Sequence, residues 1–189
     1  MGSINPKIIE LKNGMKITVK ACEPPEAKLF AAFTEQVGVE TPFTRFSTTG
    51  STPSLEKTAT EWQTELLRPD RLQIGAFQGD RMVGYLKFKQ PYPDHVGFRH
   101  VADFGVMILK EFWQQGLTRI MMNEMELYAR SIGVQRIEAR VRDGNGRAMK
   151  LFESLGFKNE GTRKGAARIS GQMVDEFYIG KILAESVKN

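Results

Sequence analysis

Residues 101–109 close on the apolar run Val106, Met107, Ile108 and Leu109, and the chain then passes through a short turn containing Gly116 straight into a segment of helical periodicity. Leu117, Ile120, Met121, Leu127 and Tyr128 carry that periodicity as far as Gly133, a residue suited to a helix end. Beyond it Ile137, Ala139 and Val141 alternate with Glu138, Arg140 and Arg142, the period of a strand. Strand, helix and strand in immediate succession point to an α/β domain in which helices cover a sheet.

The flanking segments extend that sheet. Asn13-Gly14 suits a tight turn between strands at 8–11 and 16–20. Pro24 and Pro25 open a helix whose buried side carries Ala27, Leu29, Phe30, Phe33 and Val37. Residues 41–54 are rich in Ser and Thr and broken by Pro42, Gly50 and Pro53, so regular structure is not expected there. A second helix follows over 54–67, with Thr52 or Ser54 as cap and Leu55, Ala59, Trp62 and Leu66 as its stripe. Gly79-Asp80 joins strands at 72–76 and 82–89. Asn145 caps a helix with Ala148, Leu151, Phe152 and Leu155 on one side, and strands near 157–160 and 174–183 flank a polar excursion.

A chain of 189 residues, 41% of them hydrophobic, fits one core, here residues 15–183 behind an amino-terminal extension of 1–14 with a possible short strand. One cysteine, Cys22, excludes an internal disulfide framework. No apolar run reaches the length of a membrane span, so the cytoplasm is the expected location. His95 and His100 lack the companions of a metal site, so no metal is expected.

The chemistry concentrates in the run MILKEFWQQGLT, residues 107–118. At a helix start the first amides lack internal partners and the helix dipole favours anions, so Gln114 to Thr118 could hold phosphate, with Gly116 allowing close backbone approach. On local chemistry alone an ordinary strand-to-helix turn is the plainer reading of the same residues, since one glycine is a weak signal.

Taken together, residues 102–109, the turn at Gly116, the strand ending at Val141, Asn145-Gly-Arg-Ala148 and Leu151-Phe-Glu-Ser-Leu-Gly-Phe157 resemble the GCN5-related N-acetyltransferase (GNAT) superfamily in residue type and order. The closing Glu160-Gly161, Ile169-Ser-Gly171 and Asp175-Glu176 are similar to the subgroup of ribosomal-protein and spermidine acetyltransferases. The resemblance implies a single-domain fold with a mixed central β-sheet, flanked by helices and splayed where acetyl-CoA binds. It implies an N-acetyltransferase that moves acetyl from acetyl-CoA directly to a primary amine on a peptide, polyamine or other small molecule. Met107, Ile108 and Leu109 would then lie beside the pantetheine arm. Gln114, Gln115, Gly116, Leu117, Thr118 and Arg119 would face the phosphates, and Asn145 would stand on the cofactor side. Trp113 and Thr118 depart from the family's usual first Gln or Arg and last Gly.

The resemblance also places Asp103 where related enzymes often carry a glutamate that takes a proton from the amine, usually through water. A structural carboxylate is the other reading of Asp103. Phe152 occupies the position of a tyrosine that protonates the leaving thiolate, a task phenylalanine cannot perform, and Tyr128 and Tyr178 are candidate replacements. The amine side should involve Glu40, Phe43 and Phe46, with solvent-facing charge and core packing as the plainer readings. An amine-bearing partner, no nucleic acid or membrane, and a possible homodimer complete the expectation. A CoA-binding protein with little or no activity is the rival. The net charge of +5 lies wholly between Lys110 and Ser170, which holds 12 basic and 7 acidic residues. That segment would meet the phosphates, and the cluster Arg163, Lys164 and Arg168 could touch CoA, an acidic peptide or nothing.

Overall fold

The computed structural model describes residues 2–46 and 53–183. An eight-stranded mixed sheet runs in the order β1-β2-β3-β4-β5-β6-β8-β7. Its strands are β1 (Lys7–Glu10), β2 (Lys16–Ala21), β3 (Arg71–Gln78), β4 (Arg81–Lys89), β5 (Val101–Ile108), β6 (Arg136–Arg142), β7 (Lys158–Ile169) and β8 (Gln172–Ile182). The helices are α1 (Ala27–Glu40), α2 (Leu55–Leu66), α3 (Leu117–Ser131) and α4 (Gly146–Ser154). The α/β class and the single sheet read from the sequence are both present.

Each face of the sheet has its own pair of helices. Phe30 of α1 packs on Tyr85 of β4 at 4.5 Å between ring centroids and on Trp62 of α2 at 5.3 Å. On the opposite face Tyr128 of α3 meets Phe88 of β4 edge-on at 5.8 Å, and Phe152 of α4 meets Phe104 of β5 at 5.5 Å. Both faces of β3 and β4 are therefore buried, which overrides the half-polar alternation expected at 72–76.

Several sequence expectations shift. In α3 the buried stripe is Leu117, Met121, Met125 and Tyr128, while Leu127 is exposed and Ile120 only half-buried, because a 3.6-residue period carries those two off the contact line. In α2 Leu55 is exposed, and Thr58 and Trp62 face inward. Ser54 caps α2 by accepting from the Lys57 amide, and Thr52 lies outside the described residues. The polar excursion at 160–174 is no loop: β7 and β8 run through it as a continuous antiparallel arm turning at Ser170 and Gly171, both with positive φ. Most residues of that stretch of β7 are exposed, so it shows no apolar alternation to read. Residues 7–10 form β1 against β2 with Lys7 opposite Val19, the hairpin expected about Asn13-Gly14 with its first strand starting one residue earlier.

The feature that positions a site is the gap between β5 and β6. They are the sheet's parallel pair, and only Val101–Arg136, Ala102–Ile137 and Asp103–Glu138 are in register. From there β5 continues against β4 alone, to Ile108 opposite Gly84, and β6 continues against β8 alone, to Arg142 opposite Glu176. The two strands splay with Asp103 and Glu138 at the fork.

Candidate active site

The chain leaves β5 through a single 3₁₀ turn at Lys110–Phe112 and enters α3 at Gly116. Gln114 has φ +62° and Gly116 φ +90°, two left-handed residues that fold the turn tightly. A side chain at Gly116 would meet nothing within 4 Å, so glycine is required there for its backbone conformation, and the space before it is open. No side chain caps α3. The amides of Leu117 and Thr118 open a 15-residue helix at its positive end, which suits an anion. Open space, an uncapped helix and a positive-φ glycine together fit a pyrophosphate-bearing ligand.

The ladder decides which groups of β5 face the gap. The Leu109 amide donates to the Val83 carbonyl at 3.0 Å, which makes Leu109 and Val83 a hydrogen-bonded pair. Alternation along an antiparallel ladder then turns the main-chain groups of Ile108, Val106 and Phe104 away from β4 and into the gap. Of the expected trio 107–109, Ile108 thus presents its backbone to the gap, whereas the backbone groups of Met107 and Leu109 serve the ladder. The Ile108 carbonyl accepts from the Trp113 indole at 2.8 Å. Trp113 in turn stacks under the Arg147 guanidinium, 3.0 Å from its ring centroid. Burial there pulls Arg147 below its ordinary pKa. Trp113 thus links the turn after β5 to the start of α4.

Asn145 caps α4, its side-chain oxygen accepting from the Ala148 amide at 3.3 Å. Arg119 reaches away from the turn to Ser154 at 2.9 Å. Phe152 is buried in a trio with Phe104 and Phe157, with centroids 5.3 to 5.6 Å apart, and provides an apolar wall. Neither candidate replacement tyrosine stands in its place. Tyr128 donates to the Pro69 carbonyl at 2.7 Å, and Tyr178 lies on β8, separated from β5 by β6.

Asp103 shares its face of the sheet with Lys89, its register partner on β4, whose ammonium is 3.6 Å away. Its side chain is about one third exposed at 32%, so the ion pair contributes about 0–1 kcal/mol and leaves the carboxylate in reach of water. Glu138, beside it at the fork, is held by Arg136 at 3.2 Å. Asp103 is the freer of the two carboxylates.

The acceptor candidates divide. Glu40 is committed elsewhere: one carboxylate oxygen accepts from the Lys110 amide at 2.6 Å and the other from Gln36 at 2.9 Å. It ties the end of α1 to the turn after β5 and is not a free charge for a cationic substrate. Phe46, partly buried, packs edge-on against Phe30 of the core at 6.1 Å, with Arg45 over its ring. Phe43 alone reaches across, its ring near Gly144 at the end of β6. Arg142, which the sequence did not single out, donates to the carbonyls of Pro42 and Thr44 at 3.3 and 2.9 Å and pins this segment over the sheet. Its signal was absent because its partners are about a hundred residues away in sequence.

The basic excess does not converge on the turn. Arg163 pairs with Glu176, Lys164 with Asp175, and Arg168 donates to the Gly171 carbonyl, all within the β7–β8 arm. A cavity of about 570 Å³, lined by Arg68, Asp70, Asp94 and Arg99 among others, lies at the opposite end of β4 from this turn. Among the described residues no cluster of three metal-ligating side chains occurs, and no helix is long and apolar enough to cross a membrane.

Residues 40–157 match the family model of the acetyltransferase (GNAT) family. The chain belongs to this family. It is 34% identical over 124 residues to the L-amino acid N-acetyltransferase AaaT of Escherichia coli strain K12, covering 64% of this chain and 75% of that protein. A GNAT acetyltransferase from Streptococcus pneumoniae superposes with a TM-score of 0.82 at 24% identity, over 89% of this chain and 99% of that one. YncA, a putative acetyltransferase from Salmonella typhimurium with its cofactor acetyl-CoA, superposes at 0.76 and 16% identity, over 92% and 97%. The chain is a GNAT N-acetyltransferase.

Proposed function

We propose that the protein transfers an acetyl group from acetyl-CoA directly to the primary amine of a small acceptor, with amino acids as the leading class. The observation that carries the reading is the fork itself: a partly exposed carboxylate, Asp103, stands where the β5–β6 pairing ends. The uncapped start of α3 and the gap-facing backbone of Ile108 lie farther along β5. Acetyl-CoA would lie with its pyrophosphate on the amides of 116–118 and its arm along the gap-facing groups of β5. Phe104 and Phe152 supply an apolar wall there. The similarity to AaaT supports an amino acid acceptor.

An ammonium has no lone pair to attack a thioester, so Asp103 accepts its proton, directly or through one water. The free amine then attacks the acetyl carbonyl, and a strand amide facing the gap donates to the oxygen as negative charge builds on it. The nitrogen–carbon bond forms, the nitrogen gives its surplus proton to water, the carbon–sulfur bond breaks, and the thiolate leaves. With phenylalanine at 152 the chain offers no tyrosine to protonate it, and water fills that role because a thiolate is a weak base.

Buried Phe152 also favours a second reading, a CoA-binding protein with little activity. Calorimetry with CoA, then acetyl transfer to a panel of L-amino acids, polyamines and short peptides, separates the two. Binding with turnover of amino acids is the expected result. Binding without turnover of any amine supports the second reading, and no CoA binding refutes both.

A further inference from the structure

On β6, residues Arg136, Glu138, Arg140 and Arg142 alternate onto one face of the sheet, the face that also carries Asp103, Glu138's register partner on β5. Arg142 shows what covers that face, since it holds the backbone carbonyls of Pro42 and Thr44. Two of the three arginines have acidic partners: Arg136 pairs with Glu138 and Glu160, and Arg142 approaches Glu176 at 3.9 Å. The Arg140 side chain has no ion pair or hydrogen bond among the described residues, and the residue is exposed. Its register partner on β8 is Tyr178, which brings no carboxylate.

An unpaired guanidinium one alternation beyond the fork, roughly 7 Å along the strand from Glu138, stands on the amine side of the cleft beside the proposed base. From that juxtaposition we infer that Arg140 is a binding residue for the acceptor and reads the acceptor's carboxylate, so that the site selects primary amines that carry a carboxylate on a neighbouring carbon. The inference rests on the amino acid reading above and deepens it. Asp103 meets the nitrogen of such a molecule and Arg140 its carboxylate, and each charge on the acceptor faces its opposite. The planar fork of arginine can receive both carboxylate oxygens at once, which a lysine cannot. Polyamines offer only cations to this position and are disfavoured by it.

The test compares each L-amino acid with its carboxamide, which keeps the amine and side chain and removes the negative charge. In the wild-type protein the acids should have KM values at least about tenfold below those of the amides, the size of one charge-assisted hydrogen bond. Arg140→Gln should raise KM for the acids about tenfold, leave the amides and the affinity for CoA unchanged, and change kcat little. Arg140→Lys should recover part of the loss. An Arg140→Gln protein that binds CoA normally and treats acids and amides as the wild type does overturns the assignment to Arg140 while leaving the amino acid reading intact. Wild-type protein that acetylates polyamines but neither acids nor amides overturns that reading, and this assignment with it.

Discussion

At the turn before α3 the groups that face the cleft are main-chain amides, whereas on the α1–α2 face they are the side chains of residues far apart in sequence. Positive φ at Gln114 and Gly116 and the ladder beyond Leu109 aim the amides, so the identity of neighbouring side chains matters little. Trp113 and Thr118 can therefore replace more usual residues without removing the cradle. On the other face Asp103, Arg140, Arg142 and Phe43 come from two strands and a loop, and each is placed by tertiary pairing. On the proposed function, donor recognition is thus tolerant of substitution and acceptor recognition is sensitive to it.

The largest expected effect falls on the sensitive side. Asp103→Asn removes the proposed proton acceptor and keeps the shape, so kcat should fall about 10²-fold or more, with CoA affinity unchanged by calorimetry. Equal turnover by this variant would remove Asp103 from the mechanism and break the contrast at its strongest point. Gly116→Val should come next. A β-branched residue held at φ +90° is strained by about 1–2 kcal/mol, and relief of that strain misaligns the amides. CoA should bind roughly tenfold more weakly, while the KM for the amine stays near that of the wild type. A variant that lost amine affinity and kept CoA would place the turn on the wrong side of the cleft.

Glu40 sharpens the division because it looked like an acceptor residue and lies against the donor turn. Glu40→Ala removes a charge-assisted bond to the Lys110 amide, a loss of about 1.5–3 kcal/mol where the group is shielded and less here at the surface. The expected result is a melting temperature lower by about 2–4 °C and a severalfold higher KM for acetyl-CoA, with the amine KM unchanged. A selective rise in amine KM would return Glu40 to the acceptor site.

The same division explains what was legible in the sequence. The β5–α3–β6 order, the Asn145 cap and the left-handed turn at Gly116 are local, and each is specified by residues within a few positions of one another. Glu40 could not be placed, because its partner Lys110 is 70 residues away and a surface carboxylate gives no periodic signal. Arg142 and Arg140 were read only as the polar half of a strand, and which of them is paired depends on β8 and on the 42–44 backbone. The β7–β8 arm gives no strand signal in sequence because its β7 side is exposed over most of its length, and hairpin pairing alone makes it regular.

The smallest expected change tests whether any donor-side side chain takes part in chemistry. Phe152→Tyr restores a hydroxyl at the ring that packs against Phe104 and Phe157. The ring itself fits unchanged, so the cost is that of a buried hydroxyl without a ready partner, about 1 kcal/mol, readable as a slight fall in melting temperature. If the thiolate leaves with water as its proton source, the new hydroxyl adds little, and kcat should rise no more than about threefold. A tenfold rise would mean that protonation of the leaving group limits the wild-type rate. The donor side would then depend on a side chain as the acceptor side does, and the tolerance of the turn would extend only to binding.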